Sequence, residues 1–313
     1  MKSMIKTAVL PILILVAACG GSPETTGGGG VKVVATTNIV GDLVRTIGGP
    51  QVEVEALMGP GIDPHLYKAS AGDVRRMSSA EAIFYSGLHL EGKMSEILER
   101  MGEREVRTVA VAECVPGEEL IESTGFSGLH DPHVWFDVGL WSQAADCVAE
   151  TLADLDPENG AGYRERARAY VDELKSLDGW VRGRVEALAP EQRVLVTAHD
   201  AFGYFGRAYG FEVRGLLGVS TAAEAGTADV QALADFIVER EIPAIFVETS
   251  VPPRYVQALQ EAVRARGFEV EIGGSLYSDS LGNPGTSAAT YPGTVRDNVE
   301  TIVTALLSTE AAE

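Results

Sequence analysis

One stretch constrains the fold of this chain more than any other: PENGAGYRERARAYVDELKSLDGWVRGRVEALAP, residues 157–190. Its apolar residues Tyr163, Ala167, Tyr170, Leu174, Leu177, Val181, Val185 and Leu188 recur at intervals of three and four, which places one apolar stripe on a single helix. Pro157 and Pro190 bracket the stripe, where proline is hostile to helix continuation. Roughly 30 residues at about 1.5 Å each make a rod about 45 Å long, the height of a whole domain. A flexible crossing between two domains would carry Gly, Ser or Pro where the chain passes over. This connector reads as stiff, with two helices broken near Asp178-Gly179 as the alternative.

The sequence on either side of the rod repeats one rhythm. In residues 31–156, VKVVATT reads as a buried strand, and Asn38 is placed to cap the helix IVGDLVRTIGG. VEVEALM (52–58), AIFYSG (82–87) and VRTVAVAEC (106–114) read as further strands, separated by helices near 70–79 and 90–102 and closed by one at 139–156. In residues 191–313, the strands RVLVTAHD, FEVRGLLG, AIFVETS and FEVEIGG (268–274) alternate with a short helix AFGYFGRAYG and helices at 227–240, 254–267 and 293–308. Such alternation predicts an α/β fold: two parallel-sheet α/β lobes joined by one long rigid helix, with a ligand site in the cleft between them. From Val31 onward there are about 280 residues, enough for two domains of ordinary size.

The N-terminus reads as a processing signal. Lys2 and Lys6 precede an apolar run from Ala8 to Ala18, too short for a span of about 20 residues. Residues 1–18 are expected to be a lipoprotein signal peptide, cleaved before Cys19, which then carries lipid; a plain secretory signal is the alternative. Residues 19–30 are a Gly-rich tether with nothing to bury, so the folded part is expected to be extracytoplasmic and anchored to a membrane by lipid alone. The formal charge of −20 argues against nucleic acid or an anionic membrane surface as a partner and favours cations. Of three cysteines, Cys114 and Cys147 remain; outside the cytoplasm they could pair, or equally serve as small buried apolar residues.

Two of the five histidines sit in the same phrase, Asp-Pro-His, at GIDPHLYKAS (61–70) and HDPHVWFD (130–137). Proline fixes its own φ and pushes the preceding residue out of the helical region, so each imidazole is presented from a rigid turn. Ligands of open parallel sheets collect beyond the carboxyl ends of the strands. His65 follows the second strand of the first half and His133 its fourth; His199 ends the first strand of the second half and Asp279 follows its last. Four residues of metal-ligand type thus belong to strand ends, two from each half. Asp63 and Asp131 are expected to orient the rings by accepting the second N–H. Glu248 is a reserve ligand; His89 is structural or cleft-lining, His130 belongs to an entrance loop, and Trp135, Phe136, Phe202, Tyr204 and Phe205 pack around the site.

The phrases DPHLYKAS, DPHVWFD, VTAHDAFGYFGRAYGFEV and GGSLYSDSLG resemble the TroA-like zinc/manganese solute-binding proteins of ABC transporters, across nearly the whole chain from Val31. The resemblance implies two α/β lobes on a backbone helix and one metal held between them by His65, His133, His199 and Asp279. It implies a monomeric lipoprotein that captures manganese or zinc, with ferrous iron also admitted, and delivers it to a membrane permease. Three imidazoles suit zinc, while a carboxylate admits harder ions such as Mn²⁺. The loop CVPGEELIESTGFSGLH is short and holds one histidine, unlike the long His-rich loop of strongly zinc-specific members. Two other classes are weighed against this. A secreted zinc metalloenzyme needs an open coordination position and a base, and no H-E-x-x-H motif supplies one. A metal-stabilised adhesin or scaffold would need the ion to fold.

Overall fold

The structure, a computed structural model, describes residues 30–123 and 128–307. The expected signal peptide, the lipidated Cys19 and nearly all of the tether lie outside the described residues.

The N-terminal lobe runs β1 (Val31–Ala35), α1 (Asn38–Gly48), β2 (Val52–Ala56), α2 (Ala71–Ser79), β3 (Ala82–Tyr85), α3 (Ser95–Glu103), β4 (Arg107–Ala110) and α4 (Val138–Leu155). Its four strands form one parallel sheet in the order β2-β1-β3-β4. The buried run of β1 suits a strand covered on both faces. Thr37, not Asn38, caps α1: its hydroxyl accepts the Val40 N–H at 3.2 Å. Asn38 is the first residue inside the helix, so its side chain is free for other work. The last strand is shorter than the sequence pattern suggests. Val111–Cys114 turns into a 3-10 helix, which brings Cys114 to α4, where a disulfide joins it to Cys147.

α5 (Gly160–Val185) is one helix, unbroken at Asp178-Gly179. Its 26 residues extend about 39 Å. Every residue of the apolar stripe is buried, Leu188 included, although the helix ends before it. Arg166 donates to the carbonyls of Ile47 and Gly48 at 2.6 and 2.8 Å, satisfying the end of α1.

Beyond α5 come β5 (Val194–His199), α6 (Gly203–Tyr209), β6 (Glu212–Leu217), α7 (Thr227–Glu239), β7 (Ala244–Glu248), α8 (Arg254–Arg264), β8 (Glu271–Leu276) and α9 (Tyr291–Leu307). β5 pairs with β6 and β7 with β8, all parallel, and β5 lies beside β7. β8 starts later than the FEVEIGG pattern suggests and runs on through Gly273 and Gly274. α5 packs on α1 and α4 of one lobe and on α6 and α9 of the other, and Tyr209 donates its hydroxyl to Asp178 of α5 at 3.0 Å.

One apolar cluster runs without interruption through both lobes, from Val33 and Leu43 through Trp141 and Leu174 to Phe202, Tyr291 and Ile302. Two smaller clusters, around Met77 and around Leu259, belong to one lobe each. Much of the apolar interior is thus shared between lobes and rod, a seam more hydrophobic than a mobile domain interface normally is. Among the described residues no helix is long and apolar enough to cross a membrane.

Candidate metal centre

The two Asp-Pro-His turns are built alike. Asp63 Oδ1 accepts the backbone N–H of His65 at 2.9 Å, and Asp131 Oδ1 accepts that of His133 at 2.9 Å. Each aspartate closes an Asx turn on the residue two further on, while proline stiffens the middle. The second use of the aspartate differs between the turns. Asp131 Oδ1 also lies 2.7 Å from His133 Nδ1 and so orients the ring as expected. Asp63 instead accepts from the Thr221 hydroxyl at 2.6 Å. His199, the last residue of β5, is oriented by Glu248 at the end of β7, whose Oε1 accepts the His199 N–H at 2.8 Å and whose Oε2 lies 2.5 Å from Nδ1. Glu248 is therefore committed to His199 and not a spare ligand. Asp279, just past β8, turns inward, its Oδ2 3.4 Å from the Ser250 hydroxyl.

His65, His133, His199 and Asp279 meet: one candidate ligand atom from each lies within 4.8 Å of the others, and all four residues are buried. Nε2 of His133 lies 3.4 Å from Asp279 Oδ1; Nε2 of His199 and His65 lie 3.4 and 3.9 Å from Oδ2. A tetrahedral shell with bonds of about 2.0–2.1 Å separates its ligand atoms by about 3.3–3.4 Å; the His133 and His199 distances match that separation and the His65 distance is longer. All three Nε2 atoms and Asp279 Oδ1 are buried without a hydrogen-bond partner. Buried polar atoms are rarely left so, and four converging orphans are a chemical specification for a cation. Each carboxylate oxygen faces different imidazoles, which suits a fifth contact for a harder ion as well.

Burial drives the His65 imidazole down to about 3. At His133 burial also disfavours the charge, but Asp131 and then Asp279 outweigh it and lift the ring to about 9. At His199 the same opposition ends with Glu248 and Asp279 holding the ring well above the ordinary range. Burial pushes Asp279 upward, yet the surrounding imidazoles, His199 foremost, hold its carboxyl well below the usual range. Protons and a metal ion compete for the same nitrogens.

His89 and His130 stand outside this set. They line, with His65, Ser123 and Pro132, a cavity of about 140 Å³ beside the centre. Trp135 and Tyr204, read from sequence as packing, also carry polar duties. Trp135 stacks edgewise on His133 with ring centroids 5.3 Å apart and donates Nε1–H to the Ser278 carbonyl at 3.0 Å. The Tyr204 hydroxyl accepts the Ile121 N–H at 3.0 Å and donates to the Asp131 carbonyl at 2.9 Å.

The profile of a family described as "Zinc-uptake complex component A periplasmic" matches residues 33–305. The chain is 50% identical over 289 residues to the zinc-binding protein TroA of Treponema pallidum, covering 91% of this chain and 92% of that protein. It is 43% identical over 307 residues to the manganese-binding lipoprotein MntA of Bacillus subtilis, covering 98% and 100%. The solved structure of the periplasmic zinc-binding protein TroA from Treponema pallidum matches with a TM-score of 0.86 at 50% identity, over 89% of this chain and 99% of that one.

Proposed function

The chain belongs to the periplasmic zinc-uptake component A family, and from that premise we propose that it captures one divalent transition metal outside the cytoplasm and hands it to the membrane permease of an ABC transporter. The observation that carries this reading is the convergence of four buried residues, each with a candidate ligand atom within 4.8 Å of the others, on Nε2 and Oδ1 atoms that have no hydrogen-bond partner. His65, His133, His199 and Asp279 are the proposed ligands, and the ion is cargo rather than a resident cofactor. Manganese and zinc, each named in a relative, both suit a site of three imidazoles and one carboxylate; ferrous iron is chemically adjacent. Cys19 is the proposed lipid anchor and residues 19–30 its tether, in keeping with a relative named as a lipoprotein. The protein acts as a monomeric carrier and not as an enzyme. Four protein atoms close the shell, whereas a hydrolytic zinc keeps a position for water.

Capture follows from the residues alone. His65, neutral and on the wall of the 140 Å³ cavity, is the first proposed ligand an incoming ion reaches. Asp131 and Glu248 then take up the Nδ1–H of His133 and His199, which leaves each Nε2 lone pair directed at the centre once its proton departs. Titration of the soluble domain with Zn²⁺ and with Mn²⁺ tests the reading. One tight site is expected, abolished in the His65→Ala/His133→Ala double variant; unchanged stoichiometry in that variant overturns the ligand set.

A further inference from the structure

Three of the four proposed ligands are gripped from the opposite lobe. Asp279 belongs to the C-terminal lobe, but the segment 278–281 that carries it is tied to the N-terminal one. The Asn38 side chain accepts the Leu281 N–H at 2.9 Å and donates to the Leu281 carbonyl at 3.3 Å. Gly61 N–H donates to the Ser280 hydroxyl at 2.8 Å, and Trp135 Nε1–H to the Ser278 carbonyl at 3.0 Å. The reverse holds for the N-terminal ligands. Tyr204, on α6 of the C-terminal lobe, holds the Asp131 carbonyl beside His133 and the Ile121 N–H above it. Thr221, past β6, holds Asp63 beside His65. His199 alone is held within its own lobe, by Glu248.

This crossed arrangement bears on how an ion gets out. The rod is unbroken and the apolar core is shared, so a wide swing of the lobes would tear both a packed interior and all the crossed bonds. Opening one clasped segment breaks only a few hydrogen bonds. We propose that Asn38 and Tyr204 are positioning residues that set the rate of metal release, Asn38 through the Asp279 segment and Tyr204 through the Asp131–His133 turn. The inference rests on the ligand set proposed above. Asn38 is half-buried at the start of α1, and because Thr37 already caps that helix, its amide is not needed there. A neutral hydrogen bond of typical strength is equivalent to roughly a five-fold change in an equilibrium, so two lost together correspond to about 10–30-fold.

The test is release of Zn²⁺ from the loaded protein into excess chelator, followed by stopped flow, with association rates measured in parallel. Asn38→Ala is expected to speed release about 10–30-fold with association within about two-fold; Asn38→Asp, which keeps the acceptor for Leu281 N–H, falls between it and the parent. Tyr204→Phe, which also loses two hydrogen bonds, is expected to speed release by about 10–30-fold as well. A mere loss of packing would lower the melting temperature of the metal-free protein without this split between release and association. Release unchanged in both Asn38→Ala and Tyr204→Phe overturns the proposal. Amide exchange of the unmutated protein gives an independent check, since Leu281 N–H must be better protected with Zn²⁺ than without; equal protection overturns it too. A parent protein that takes up no ion removes the ligand reading, and this inference with it.

Discussion

Glu248 holds His199 at two points, its Oε1 on the backbone N–H at 2.8 Å and its Oε2 against Nδ1 at 2.5 Å. The carboxylate therefore fixes both where the ring sits and which nitrogen faces the centre. Because carboxylates behind metal-bound imidazoles raise ligand basicity, Glu248→Gln is expected to weaken Zn²⁺ and Mn²⁺ binding about 10–100-fold while leaving one site per chain. Calorimetric titration checks this, and an unchanged affinity would mean that the bond is only structural.

Metal binding must be linked to proton release. In the metal-free protein His133 lies near 9 and His199 well above the ordinary range, whereas His65 lies near 3. At pH 7 an incoming ion thus displaces protons from His133 and His199 and none from His65, about two per ion. Affinity is expected to weaken as pH falls, and titration in buffers of different ionisation enthalpy should show the protons released. Binding that releases none contradicts the assignment.

The same shifts give the metal-free fold a pH dependence of definite sign. A histidine raised in the folded state stabilises fully below its ordinary value of 6.5 and loses that contribution as pH rises through its folded value, about 9 for His133. His65, lowered, acts in the opposite sense, but only as pH falls below 6.5. Between pH 6.5 and 9 the folded state holds more protons than the unfolded one, so denaturation midpoints of the metal-free protein should fall as pH rises. A rise across that window would show that other groups dominate.

Gly215 on β6 faces the turn that follows His199. A Cβ there would come within 2.3 Å of Asp200 N and 2.6 Å of the His199 carbonyl carbon. Backbone cannot yield as a flexible side chain can, so Gly215→Ala should cost roughly 1–3 kcal/mol and displace His199. Urea denaturation together with metal titration should show both losses; an intact affinity would mean that β6 shifts without moving β5.

The shared apolar core does not depend on the ion. Chelator treatment is expected to leave a folded protein, and saturating metal to raise its melting temperature, by about 4 kcal/mol of apparent stability at a thousand times the dissociation constant. Loss of far-UV helical signal on chelation would instead mark the metal as a folding requirement.

Much of this was legible in the residues themselves. The stripe from Tyr163 to Val185 specified a helix because period and burial coincide over many turns. His65, His133, His199 and Asp279 stood out because each follows or ends a strand, and the parallel topology brings those ends to one cleft. What eluded the sequence was long-range choice between locally equivalent options. Thr37 and Asn38 are both good capping residues, and only the contact with Leu281 decides between them. Glu248 looked like a ligand because nothing local reveals that β7 lies beside β5, and Tyr204 looked like packing because its hydroxyl works across the lobes. Pairing of Cys114 with Cys147 was one of two readings left open, since 33 residues of separation say nothing of a Cα distance of 6.3 Å.

X-ray absorption at the zinc edge of protein loaded with one equivalent of Zn²⁺ tests the central claim most directly. Three imidazole nitrogens at about 2.0–2.1 Å with one carboxylate oxygen and no sulfur are predicted, the imidazole count dropping to two in His199→Ala. Fewer than three imidazoles in the parent, or an unaltered spectrum in that variant, would place the ion elsewhere.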